Sequence, residues 1–105
     1  MEHINFSKNW NNKLDCEAFT TLRMPNERYK TGQVFEITLN EESKGCATLV
    51  AITYINLEDI TEYIARLDTG CSAEDCKNLI RDIYPSADFT QQRLAYLLFV
   101  KSKSD

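Results

Sequence analysis

Two hydroxyls and a guanidinium stand within four residues, Thr20-Thr21-Leu22-Arg23. A threonine hydroxyl is a nucleophile only when a base takes its proton; without one it serves as a hydrogen-bonding group in a cleft. Arginine binds a carbonyl or phosphate through a fork of donors, or stacks on a base. Alternate residues of a strand share a face, so Thr21 and Arg23 project together and Thr20 projects opposite. Arg28 and Lys30 follow in the turn-forming stretch Arg28-Tyr29-Lys30-Thr31-Gly32. With Arg23 they make the basic lip of a groove, enough for one or two phosphates. Tyr63, like Tyr29 and Tyr54, offers a ring for stacking. Trp10, if exposed, makes a stacking platform. Each group also has a plainer reading: threonines form strands well, aromatics anchor cores, and isolated charges face water.

Charge bounds the ligand. The net charge is −4, but residues 1–30 carry five basic against four acidic groups, while the remainder is strongly acidic. General binding along a phosphate backbone favours a basic protein, so any nucleic-acid contact here is local: one groove, or one nucleotide. The apolar run at residues 94–100 is far short of a membrane span, and the N-terminus shows no apolar signal-peptide core. These features predict a cytoplasmic protein with no membrane association and with Cys16, Cys46, Cys71 and Cys76 reduced. Only Cys71 and Cys76 are close in sequence, and the single histidine is His3, so neither a metal site nor a cofactor is expected.

The elements that must position these groups come next. Ser7 as an N-cap, with Phe6, Trp10 and Leu14 at spacing four, predicts a short amphipathic helix. Residues 19–24 read as a strand stopped by Pro25-Asn26, and Val34, Phe35, Ile37 and Leu39 read as the next. Residues 41–45 read as a turn. The β-branched run at 47–55 predicts a central strand covered on both faces. The period then lengthens: Leu57, Ile60, Ile64 and Leu67 form one helical stripe, ended by Gly70. Ser72 with Asp75 three residues on opens a second helix bearing Cys76, Leu79, Ile80 and Ile83, closed before Pro85. A last strand spans 93–101, and the tail from 102 to 105 is expected to fray. The order predicts one α+β domain over residues 1–105, an antiparallel sheet partly closed and plugged by helices.

Four segments in this order resemble the ASCH domains of the PUA-like superfamily: Thr20-Thr21-Leu22-Arg23; "RYKTGQVFEI" at 28–37; "GCATLVAITYI" at 45–55; and "AEDCKNLIRDIYP" at 73–85, followed by a terminal strand ending in Phe99. The resemblance covers about residues 14–101. It implies a PUA-like antiparallel β-barrel with helices packed at one side and a cleft for RNA or a nucleoside. Among small stand-alone members the layout is similar to the N4-acetylcytidine amidohydrolases, whose motif is Lys-Thr-x-Thr-x-Arg plus a glutamate between the two helices. Laid on this chain, the motif puts its catalytic threonine at Thr21, its arginine at Arg23 and its glutamate near Asp68. Its lysine falls on Ala18, its first threonine on Phe19, and the glycine-aspartate turn reads Gly32-Gln33. Alanine accepts no proton, which weighs against hydrolysis; Lys13, on the preceding segment, is the nearby amine.

The sequence thus supports a binding module for RNA or a modified nucleoside, held by Thr21, Arg23, Arg28, Lys30 and Tyr63. A first alternative is an amidohydrolase of N4-acylcytidine or a similar small amide, with Thr21 as nucleophile and Asp68 as acid-base or orienting group. A second is a protein-interaction domain using its acidic helix face.

Overall fold

The computed structural model describes residues 2–102, leaving Met1 and the tail at 103–105 outside the description. The fold is α+β, built on one mixed five-stranded sheet. Its strands are β1 (Glu2–Phe6), β2 (Ala18–Arg23), β3 (Val34–Leu39), β4 (Glu42–Ile55) and β5 (Leu94–Lys101), in spatial order β1-β3-β4-β5-β2. Helices α1 (Glu62–Asp68) and α2 (Ala73–Ile83) lie between β4 and β5 in the chain. No helix among the described residues is long and apolar enough to cross a membrane.

The N-terminal segment differs from the expected helix. Phe6 ends a strand, in which Ile4 and Phe6 point inward beside polar neighbours, and this strand runs parallel to β3 in the register Ile4↔Ile37 and Phe6↔Leu39. The sheet is therefore not antiparallel throughout. The helical stripe fails because Asn11 (φ 56°, ψ 22°) and Asn12 (φ 53°, ψ 24°) are left-handed, which asparagine tolerates better than other side chains. Residues Trp10–Asp15 form a broken 3-10 turn instead of an α-helix.

Nor does the hydrogen-bonded ladder close into a barrel: β1 and β2 are its two ends. In a parallel pair, alternate residues turn both main-chain groups to the same side. The carbonyl of Phe6 accepts from Asn40 N–H beside β3, so His3 and Asn5 face away from the sheet. Both outward carbonyls are taken by arginine. Arg23 Nη2 donates to Asn5 O at 2.9 Å, and Arg28 donates to His3 O while pairing with Glu2 at 3.2 Å. Two guanidiniums thus occupy the exposed edge that a further strand would cover.

The β3–β4 turn is tighter than expected. Asn40 and Glu41, both at positive φ, make the reversal, and β4 already begins at Glu42. Gly45 (φ 97°) lies inside β4 at a register shift opposite Glu36 and Thr38, a bulge that favours glycine. β4 is central, as expected, but it is not covered on both faces. A second shift between Leu49 and Ala51 turns Val50 outward, and Val50 and Tyr54 are 44% and 51% exposed.

Apolar residues sort into two cores. Inside the curl of the sheet, Phe19 stacks on Phe99 (5.5 Å between centroids), and Phe35 meets Phe99 edge-on (5.6 Å), with Ile4, Leu14 and Leu97 around them. The helices form the second with Leu22, Leu57, Ile60, Cys76, Ile80 and Leu94. The helical stripe expected from Leu57 to Leu67 is split: Leu57–Asp59 is a 3-10 turn, and Thr61 caps α1 by accepting from Ile64 N–H at 3.2 Å. The cap resets the helical phase, so α1 buries Ala65 and Asp68 and leaves Leu67 66% exposed. α2 begins as read, with Ser72 Oγ accepting from Asp75 N–H at 3.2 Å, and ends before Pro85.

Candidate functional site

β2 carries the polar groups in two sets. Phe19, Thr21 and Arg23 share one face; Thr20 and Leu22 share the other. Arg23 is held three ways: Nε donates to Thr21 Oγ1 at 3.3 Å, Nη2 donates to Asn5 O, and its plane lies 4.6 Å from the Phe6 ring centroid. A guanidinium so oriented keeps donors in a fixed direction at low entropic cost.

The left-handed Asn11-Asn12 reversal brings Lys13 to the same place. Asn11 Nδ2 donates to the carbonyls of Arg66 (3.2 Å) and Leu67 (3.4 Å), in the last turn of α1, where main-chain acceptors lack helical partners. Gly70 (φ 80°) passes beside the Asn11 side chain, where a Cβ would meet Asn11 Oδ1 at 3.4 Å. From β5, Lys101 Nζ donates to Leu14 O and holds the far side of the turn. Lys13 then enters the interior, and its Nζ lies 3.2 Å from Asp68 Oδ1, each side chain only 5% exposed. Thr20 Oγ1 donates to the same oxygen at 2.9 Å.

Burial governs the electrostatics of this pair. It pushes the Asp68 carboxyl above the usual aspartate range, against the pull of the Lys13 ammonium and the Thr20 hydroxyl. It pushes the Lys13 amine below the usual lysine range, against the pull of Asp68. Both shifts favour neutral forms. Two buried opposite charges are weak evidence of stabilisation, because desolvation offsets most of their attraction. Ionisable groups shifted by burial beside a cleft are candidates for a functional role.

That cleft is a cavity of about 160 Å³ between the end of β1, the free edge of β2, and α2. Thr21, Arg23, Lys13 and Asp68 line it on the polar side, and Trp10 and Tyr84 contribute rings. The structure therefore brings together Trp10, Thr21, Arg23 and Asp68 of the residues singled out from sequence. It places Arg28, Lys30 and the three tyrosines elsewhere. Arg28 is committed to the β1 edge, with its Cζ beside the adjoining rings of Tyr29 (5.2 Å) and Phe35 (5.9 Å). Lys30 is exposed in its turn, and Tyr63 is 82% exposed on the outer side of α1; neither lines the cavity. Tyr29 is a core residue and Tyr54 is exposed on β4. Trp10 faces the cavity with Lys8 Nζ 4.2 Å above its ring.

Two members were not evident from sequence. On sequence Lys13 is only the nearest amine; its depth depends on Asn11-Asn12, a dipeptide whose left-handed tolerance is the available signal. Thr20 reads as a strand former, yet it is Thr20, not Thr21, whose hydroxyl bonds Asp68. Comparison with protein-family models, with curated proteins and with solved structures returned no match.

Proposed function

We propose that the cavity beside β2 binds a nucleoside or a single unpaired RNA base. The observation that carries this reading is the convergence of Lys13, Asp68, Thr21 and Arg23 on one small cavity flanked by rings. Oriented donors, a buried acceptor and nearby aromatics suit a flat heterocycle with a polar edge. The net charge of −4 favours contact with one base over tracking along a phosphate backbone. The fold is read as an open form of the PUA-like arrangement, and the ASCH-like segments support the same ligand class. The test is a ¹H–¹⁵N titration with a nucleoside panel and short single-stranded RNA. Movement of Thr21, Arg23 and Lys13 signals is expected; a panel that moves none of them ends the reading.

A second reading, hydrolysis of an N4-acylcytidine or similar amide, has one observation in its favour. Lys13 brings to the cavity the amine that Ala18 lacks, and burial drives it toward the neutral form that accepts a proton. Thr21 Oγ would bond the amide carbon as its proton passes to Lys13. Lys13 would return that proton to the departing nitrogen as the C–N bond breaks, and water would release the acyl group. Asp68 orients Lys13, and Arg23 faces the carbonyl oxygen. Turnover of acylcytidine by wild type, lost in Thr21→Ala and Lys13→Met, is expected; turnover surviving both removes this mechanism.

A further inference from the structure

We infer that the free edge of β2 reads the ligand through the main chain of Leu22, and that the group read is the hydrogen-bonding edge of a single-ring nucleobase presenting an adjacent donor and acceptor. This rests on the nucleoside reading above.

Register decides which main-chain groups are free. β2 and β5 pair from Ala18↔Val100 to Arg23↔Ala95, and in the same register Lys101 N–H donates to Glu17 O at 2.8 Å. Bonded and unbonded pairs alternate along an antiparallel ladder. Residues 19, 21 and 23 therefore turn N–H and C=O toward β5, while 18, 20 and 22 turn theirs away. β5 agrees from its other side: Ser102 N–H donates to Cys46 O at 2.9 Å, so even-numbered residues there face β4. β2 ends the sheet, and its outward groups meet no further strand.

The cavity sits on that edge. It touches Thr21 and Arg23 from one face of β2, and Leu22 with Ile80 and Tyr84 on the other. A space reaching both faces of an edge strand lies across the edge itself, where Leu22 N–H and C=O emerge. Leu22 is 8% exposed and lines the cavity. Buried main-chain groups are nearly always paired, and here the ligand supplies the partner. Two residues back, the Thr20 hydroxyl bonds Asp68, and neither Thr20 nor Ala18 lines the cavity. Of the three outward-turned residues, only Leu22 offers its donor–acceptor pair to this space. That fits the edge of one ring and is too short for an added peptide strand, which needs a run of such pairs. The volume agrees: about 160 Å³ is available, and a cavity of about 150 Å³ admits a benzene ring.

The test uses ¹⁵N-labelled full chain, with uridine and cytidine each set against its N3-methyl counterpart. In the free protein the Leu22 amide should exchange with solvent about tenfold or more faster than those of Thr21 and Arg23, since only it lacks a ladder partner. The unmodified nucleoside should shift and protect the Leu22 amide, and N3-methylation, which blocks the edge, should weaken binding about tenfold or more. Leu22→Pro removes the outward N–H, at a position where edge strands tolerate proline, together with an apolar side chain of the helical core, and should weaken binding similarly. If Leu22→Pro does not fold, the methylated nucleosides decide alone. Equal binding of methylated and unmethylated nucleosides overturns the inference, as does a titration that moves Thr21 and Arg23 but not the Leu22 amide; both leave the nucleoside reading standing. A panel in which nothing binds removes that reading and this one together.

Discussion

The side-chain amide of Asn11 donates to the carbonyl oxygen of Arg66 across 3.2 Å, and this contact sets how deeply Lys13 is buried. Asn11 serves twice, by adopting a left-handed backbone and by satisfying acceptors at the end of α1. Asn11→Gly keeps the first role and loses the second; Asn11→Ala loses both. Urea unfolding should show Asn11→Ala destabilised by about 1–3 kcal/mol, with Asn11→Gly closer to wild type. Equal loss in the two variants would show that backbone strain plays no part.

Removing the Lys13 amine strands a carboxyl. Lys13→Met should lose about 3–5 kcal/mol near neutral pH, and Lys13→Met/Asp68→Leu should recover most of it. Denaturation of both variants at one pH checks this. A double variant no more stable than Lys13→Met places the loss in packing instead of charge.

The pair also fixes the sign of the pH dependence. Asp68 is raised in the folded state, so its contribution is fully present below the unfolded carboxyl value and is lost as pH rises through the folded value. Lys13 is lowered, so the folded chain releases its proton first, and stability is regained as pH climbs from the folded amine value toward the unfolded one. Unfolding measured from mildly acidic to alkaline pH should follow this fall and recovery, and in Lys13→Met/Asp68→Leu it should flatten. Side-chain ¹³C titration should find Asp68 above and Lys13 below their ordinary values.

Arg23 and Arg28 share a structural task but not a functional one. Each Arg→Ala change should cost about 1–3 kcal/mol by freeing a β1 carbonyl and a ring contact. Only Arg23→Ala should also abolish nucleoside shifts, since Arg28 lies off the cavity. Stability from chemical denaturation and affinity from titration separate the two.

Tyr63→Ser and Leu67→Ser alter exposed groups and should change stability by no more than about 0.5 kcal/mol and leave binding intact. Phe99→Ala, in the centre of the aromatic core, should cost about 3–5 kcal/mol. Thermal unfolding of the three variants tests both.

Much of this fold was legible because its signals are local. β2 and β3 alternate visibly, β5 is a short unbroken apolar run, and α2 is announced by Ser72 and closed by Pro85. β1 was not, because Phe6 fits a helical spacing as well as a strand's alternation, and parallel pairing with β3 depends on residues thirty positions away. The helix before Gly70 was misphased since Thr61, a cap, lay inside an apparently continuous stripe. For the site, Thr21 and Arg23 share a face by strand alternation, while Asp68 is reached only through the motif resemblance. Lys13 and Thr20 are reached by neither, for their positions depend on two backbone angles and on a contact with the far end of α1.

The seam between β1 and β2 carries a consequence for how this chain can change over time. Where strands join through main-chain bonds, closure survives almost any replacement, because every residue brings the same peptide group. Here closure is written in two codons. A lysine at 23 or 28 would offer a point charge where a planar fork is needed, and any shorter residue would reach nothing. The two positions nearest the opening are thus constrained in shape as well as charge: without their guanidiniums β1 would keep its ladder to β3 but lose what caps its outer carbonyls.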